Sequence, residues 1–150
     1  MAMKLTSMAN QSSMGEKDIA REWFLKACRY NRLAPDSDRA IEAYKKAIQI
    51  NGTFADAYNR LGMIYLNRGC YDDAMKCFEK MLDLEPENPR VYSNLGRLYE
   101  RMKRTGSAKQ MYNRALEIEP GKIEVMLKIA RLLEIEGNYH GAIEKYREAI

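Results

Sequence analysis

LGMIYLNRGCYDDAMKCFEKMLDLEP, residues 61–86, and LGRLYERMKRTGSAKQMYNRALEIEP, residues 95–120, share one apolar skeleton 34 residues apart. Leu, Gly, Tyr, Ala, Glu and Pro coincide, while most charges between them change. Self-similarity at a fixed period marks a stacked-repeat architecture. From Ala55 the frame runs 55–88, 89–122 and an incomplete 123–150. In the first half of each unit, Tyr58, Leu61, Gly62 and Tyr65 recur as Tyr92, Leu95, Gly96 and Tyr99, then as Met126, Ile129, Ala130 and Leu133. Their i, i+3, i+4, i+7 spacing predicts one apolar stripe of an α-helix. In the second half, Ala74, Phe78 and Leu82 recur as Ala108, Tyr112 and Leu116, then as Ala142, Tyr146 and Ile150. Each unit is therefore expected to be two amphipathic helices.

The small residues on the stripes have a packing reason. Glycine inside a helix costs about 1 kcal/mol relative to alanine. Gly62 and Gly96 repeat that cost at one slot, which predicts close approach of a neighbouring helix. Gly69 and Gly137 mark turns within units, and Pro86 and Pro120 fall just past second helices, where proline stops continuation. Lys103-Arg104-Thr105-Gly106 replaces the glycine turn of the third unit, so an irregular turn is expected there.

Upstream the pattern continues in weaker form. Ala40, Tyr44, Ala47 and Ile48 keep the register of a second helix, and Trp23, Ala27 and Tyr30 that of a first helix, with one extra residue in the Leu33–Pro35 turn. The expected organisation is a flexible tail over 1–15 and a repeat domain over 16–150, with units at about 20–54, 55–88, 89–122 and 123–150. Lys and Arg number 25 against 21 Asp and Glu, interleaved along the chain. That pattern describes solvated helix faces rather than the concentrated basic block of a nucleic-acid binder. Cys28, Cys70 and Cys77 are an odd count without CxxC spacing. A reducing compartment is the simpler expectation, and the chain is expected to be cytoplasmic. No apolar run reaches the ~18 residues of a membrane helix, and no secretory signal pattern opens the chain.

Taken together, these residues resemble the tetratricopeptide repeat (TPR) family. Its signature stands here as Tyr58, Leu61-Gly62, Tyr65, Ala74, Phe78 and Pro86, and again as Tyr92, Leu95-Gly96, Tyr99, Ala108, Tyr112, Ala115 and Pro120. Met81 stands where the family has alanine, and Gly52 where it has proline. The resemblance covers roughly residues 20–150. It implies an all-α, right-handed superhelical solenoid of about four antiparallel helix-turn-helix repeats.

No catalytic constellation accompanies the skeleton, and the chain is not expected to be an enzyme. His140 is the sole histidine, which excludes a multi-histidine metal site or a His-based triad. Neither GxxxxGK[ST] nor GxGxxG occurs, so no phosphate-cradling loop or cofactor is indicated. The ten tyrosines mostly occupy skeleton slots, which assigns them to packing before any stacking role.

Function is then expected on the positions that drift. The resemblance implies that first helices line a concave groove for a peptide. On that basis the peptide-binding candidates are Asn59, Arg60 and Met63 in the second unit, Arg90, Asn94, Arg97 and Arg101 in the third, and Leu127, Lys128 and Arg131 in the fourth. Leu66 joins Met63 and Leu127 as an apolar spot in that groove. Arginine forks favour carboxylate and phosphate, so the expected partner segment is acidic beside a hydrophobic anchor. The alternative is that these cations pair with Glu100, Glu124 and Glu134. The family's C-terminal-carboxylate clamp is mostly missing: Asn94 fits and Lys128 is close, but Asn59, Met63 and Glu124 do not match. The asparagine ladder of the glycosyltransferase-type superhelix is broken here by Arg60 and Lys128. The alternative expectation is a self-assembling scaffold, joined through a last-helix face carrying Ala142, Tyr146 and Ile150, or the adaptor part of a longer protein.

Overall fold

A computed structural model describes residues 2–150, with side chains from Gly15 onward. Eight α-helices follow one another: α1 (Ala2–Leu33), α2 (Asp38–Ile50), α3 (Ala55–Asn67), α4 (Tyr71–Leu84), α5 (Pro89–Arg101), α6 (Thr105–Ile118), α7 (Ile123–Ile135) and α8 (Tyr139–Ala149). No strand occurs among the described residues. The chain divides into two compact units, each larger than one repeat: the first unit is Met1–Cys77 and the second unit Phe78–Ile150. In the first, α1 packs on α2 and α2 on α3; in the second, α5 packs on α6, α6 on α7 and α7 on α8.

Helices α3, α5 and α7 begin at Ala55, Pro89 and Ile123, so the 34-residue frame fixes their starts. The starts are also chemically marked. Ser37 accepts a bond from the Ala40 N–H, and Asn88 one from the Arg90 N–H with Pro89 in the first helical turn. Asn138 accepts from the Gly141 N–H at 3.0 Å. The N-terminal stretch expected to be a flexible tail is helical from Ala2 and continuous with the first repeat helix. Its sequence explains this: Ala, Met, Lys, Leu and Gln favour helix, and no proline interrupts them.

Three intra-unit turns share one geometry. The Cys70, Arg104 and Asn138 amides donate back to the carbonyls of Tyr65, Tyr99 and Leu133, at 2.8, 2.8 and 2.9 Å. Each turn places its penultimate residue in the left-handed region: Gly69 at φ 76°, Lys103 at φ 61° and Gly137 at φ 79°. The turn at Lys103 is thus regular, correcting the expected irregularity, but a side chain occupies the glycine position. The first turn differs: Asp36 takes φ 56° and donates its N–H to the Asn31 side chain at 2.9 Å. The extra residue there is absorbed by that side-chain bond.

The core of the first unit gathers Ala27, Ile41, Tyr44, Leu61, Ile64 and Cys77, flanked by Trp23 and Phe24. In the second unit Tyr112, Ala115, Val125, Ile129 and Leu132 form a cluster, flanked by Tyr92, Tyr99 and Leu116. Met81, at the family's alanine slot, is fully buried. Its flexible thioether lets a larger side chain occupy a small-residue slot. Among the residues with described side chains, no helix is long and apolar enough to cross a membrane.

Candidate peptide-binding site

The second unit builds a pocket of about 210 Å³ from two first-position helices. From α5 come Arg90, Ser93, Asn94 and Arg97; from α7 and its preceding loop come Lys122, Glu124, Val125 and Lys128; Tyr112 of α6 also lines it. Along α5 the lining positions step by three, one and three residues, the turn-by-turn spacing of one helical face. Four cations against one carboxylate make this lining strongly positive.

Tyr112 depends on the missing side chain of Gly96. A Cβ at Gly96 would lie 2.5 Å from the Tyr112 ring, so the repeated glycine is explained here by an aromatic ring pressed on the helix backbone. The Tyr112 hydroxyl donates to Glu100 at 2.7 Å. Burial, and then that bond to a carboxylate, push the phenol well above its ordinary pKa, with Arg97 opposing them. Glu100 also meets the Lys128 ammonium at 3.6 Å. Tyr146 and Glu134 repeat the phenol–carboxylate bond one repeat later, at 3.0 Å.

Of the residues expected from sequence, Arg90, Asn94, Arg97 and Lys128 come together in this pocket. Asn94 is buried, as is Asn59. Met63 is half-buried, whereas Arg101, Leu127 and Arg131 are exposed and do not line the pocket. Arg60 lines a separate pocket of the first unit, with Cys28, Asn31, Arg32 and Tyr44. Leu66 is only 2% exposed, so it belongs to the core and not to an apolar spot of the groove. On the last helix, Ala142 is 2% exposed and spent on internal packing, which corrects its assignment to a free association face. Tyr146 is half-buried and Ile150 fully exposed. Sequence reasoning missed Lys122, Val125 and Tyr112 as pocket walls; the tyrosine's skeleton slot gave no hint that its edge would reach the opening.

Two family models match the chain, one described as tetratricopeptide repeat over residues 53–118 and one as TPR repeat over 36–69. Together they span 36–118, more than half of the 150 residues. This chain belongs to the tetratricopeptide repeat family. Its eight helices are the TPR fold, four helix-turn-helix repeats. Solved structures agree on that fold. MamA is 23% identical with a TM-score of 0.79, covering 87% of this chain and 75% of that one. MamA from Desulfovibrio magneticus RS-1, residue 41 to its end, is 17% identical with a TM-score of 0.78, covering 87% and 73%. The Arabidopsis OM64 TPR domain is 21% identical with a TM-score of 0.72, covering 79% and 98%. At such identities the likeness concerns the fold alone. A sequence search of curated proteins returned no match. TPR domains are in general protein–protein interaction modules, typically without catalytic activity.

Proposed function

We propose that the second-unit pocket of this TPR protein binds an acidic segment of a protein partner, as part of a non-catalytic scaffold. The supporting observation is the convergence of Arg90, Arg97, Lys122 and Lys128 on one opening. Guanidinium forks bind carboxylates bidentately, and an opening between two helices favours a side chain reaching inward. Glu100 holds Lys128 loosely at 3.6 Å with both side chains partly exposed, a pair worth about 0–1 kcal/mol. A partner carboxylate displaces it at small cost. Leu127, 43% exposed, is one position before Lys128 on α7 and offers the hydrophobic anchor beside the charges.

The test is charge reversal. Arg97→Glu combined with Lys128→Glu should weaken binding of acidic peptides at least about tenfold and flatten its salt dependence. Arg131→Glu, outside the pocket, should do much less. Undiminished peptide affinity in the double variant overturns the assignment.

A second reading, self-association, is favoured by two exposed apolar residues on one face of α8, Tyr139 and Ile143. Half-buried Tyr146 completes the i, i+4, i+7 stripe. Sedimentation across concentrations should show a dimer that Ile143→Lys abolishes; a monomer at all concentrations removes this reading.

A further inference from the structure

The first unit holds a pocket of about 350 Å³ lined by Cys28, Asn31 and Arg32 of α1, Tyr44 of α2 and Arg60 of α3. No acidic residue lines it. Three of its five lining residues hold slots that also line the second-unit pocket, once the extra residue of the first turn is counted. Tyr44 takes the place of Tyr112, Arg60 that of Lys128, Cys28 that of Arg97, and Asn31 that of Glu100. The decisive exchange is the last. In the second unit Glu100 supplies an internal counter-charge to Lys128. In the first unit a neutral amide stands there. Its oxygen is already engaged by the Asp36 N–H at 2.9 Å, so the Asn31 group left for a ligand is its NH₂ donor. The Tyr44 hydroxyl donates to the Cys28 sulfur at 3.4 Å. Arg60 lines the same wall and opposes the rise that burial imposes on the Tyr44 phenol. Two permanent cations and an amide donor therefore meet in one polar pocket with no carboxylate in its wall.

We infer that this pocket is a receptor for a dianionic phosphate carried on a side chain of a protein partner. Two arginines match the charge of about −1.5 to −2 on a phosphorylated side chain, and guanidinium forks suit its oxygens. A carboxylate would balance only one of them. A nucleic acid is a poorer fit, because it presents a track of phosphates and this wall offers a single pair of arginines. The inference rests on the family's role as a protein-binding module and not on the second-unit pocket.

Cys28 provides the readout. It is half-buried in the pocket wall, whereas Cys70 is exposed and Cys77 is buried, its thiol pushed up to about 12 chiefly by burial. In full-length protein carrying Cys70→Ser, N-ethylmaleimide should therefore report on Cys28 first. Degenerate peptides with a central phosphoserine should slow this labelling about tenfold or more, the equivalent of at least 1.4 kcal/mol. The same peptides without phosphate should not, and inorganic phosphate at equal concentration should protect far less. Arg32→Ala with Arg60→Ala should abolish protection, and so should Asn31→Glu, which restores the internal counter-charge. Both arginines are exposed, so circular dichroism should show an unchanged helical fold. Arg97→Glu with Lys128→Glu should leave protection intact, which separates this site from the second-unit pocket. Protection that survives loss of both arginines overturns the inference. So does equal protection by inorganic phosphate, or by peptides lacking phosphate.

Discussion

The two pockets share a tyrosine floor and differ in how their charge is balanced. Each sets a buried tyrosine, Tyr44 or Tyr112, against polar side chains of two first-position helices. In the second unit the phenol donates to a carboxylate that also meets a lysine. In the first unit the phenol donates to a thiol, and the carboxylate slot holds Asn31. The backbone is repeated, but the ion that balances the cations is internal in one pocket and missing from the wall of the other. A repeat fold can thus vary the charge of a pocket from one unit to the other within a shared helix frame.

The largest expected effect tests the packing half of this comparison. The slot of Gly96 is filled by Ala27 in the first unit, fully buried. Gly96→Ala drives a methyl to within 2.5 Å of the Tyr112 ring. Overpacking of this kind should cost about 2 kcal/mol. Ala27→Gly should cost about 1–2 kcal/mol, helix propensity plus the lost burial of one methyl. Urea unfolding of both variants measures the difference. If Gly96→Ala were neutral, the tyrosine floors of the two pockets would not differ in tightness as described.

Exchanging the counter-charge comes next. Glu100→Asn should raise the affinity of the second-unit pocket for acidic peptides several-fold, with a ceiling of about tenfold, or 1.4 kcal/mol. The same change leaves the Tyr112 hydroxyl with a neutral acceptor in place of a charged one, a weaker bond. Isothermal titration on wild type and variant decides the matter. A fall in affinity would show that Glu100 orders the lysine for the ligand rather than competing with it.

Much of this was legible in sequence, and the residues say why. The 34-residue frame predicts the starts of α3, α5 and α7 because every unit must bury the same stripe against its neighbours. Arg90, Asn94, Arg97 and Lys128 reach one pocket because helical periodicity fixes which positions share a face. Leu66 misled because its slot is held by Glu100 and Glu134 in the later units, while its own side chain is apolar enough to turn into the core. The extra residue of the first turn is legible in sequence, but the meeting of Cys28, Asn31 and Arg32 with Arg60 in one pocket is not. Asn31 gave no sign that its side chain would repair that turn, since a side-chain bond to the Asp36 amide leaves no periodic trace.

Alkaline pH should act alike on the two tyrosines, and more weakly. Burial is the first cause of the raised pKa at both, and both stay protonated in the folded state beyond the ordinary phenol value of 10.0. The unfolded chain loses those protons first. Stability is therefore fully present below pH 10 and declines above it, as the unfolded state comes to bind fewer protons. At half a unit above the ordinary value the loss should be about 0.8 kcal/mol per tyrosine. Tyr112→Phe and Tyr44→Phe should each remove one share of that decline, measured by urea unfolding at pH 9 and pH 10.5. An unaltered slope in Tyr112→Phe would mean that another group carries it.

The smallest effect concerns the turns that hold the paired helices in register. Gly69 serves the first unit and Gly137 the second, but Lys103 carries a side chain at φ 61° in the same role. A left-handed residue with a Cβ costs about 1–2 kcal/mol. Glycine removes that strain but adds about 0.5–1 kcal/mol of chain entropy in the unfolded state. The balance for Lys103→Gly is a gain of about 0.5 kcal/mol, visible as a small upward shift in the unfolding midpoint. Gly69→Lys, the mirror substitution in the first unit, should lose stability for the same reason in reverse. Equal and opposite shifts would mean that the two turns are energetically interchangeable. A larger loss at Gly69 would instead mean that the Arg104 amide bond to Tyr99 at 2.8 Å is helped by something the Cys70 amide bond to Tyr65 lacks. The Arg104 guanidinium over the Tyr99 ring, 5.3 Å from its centroid, is the contact that offers this help.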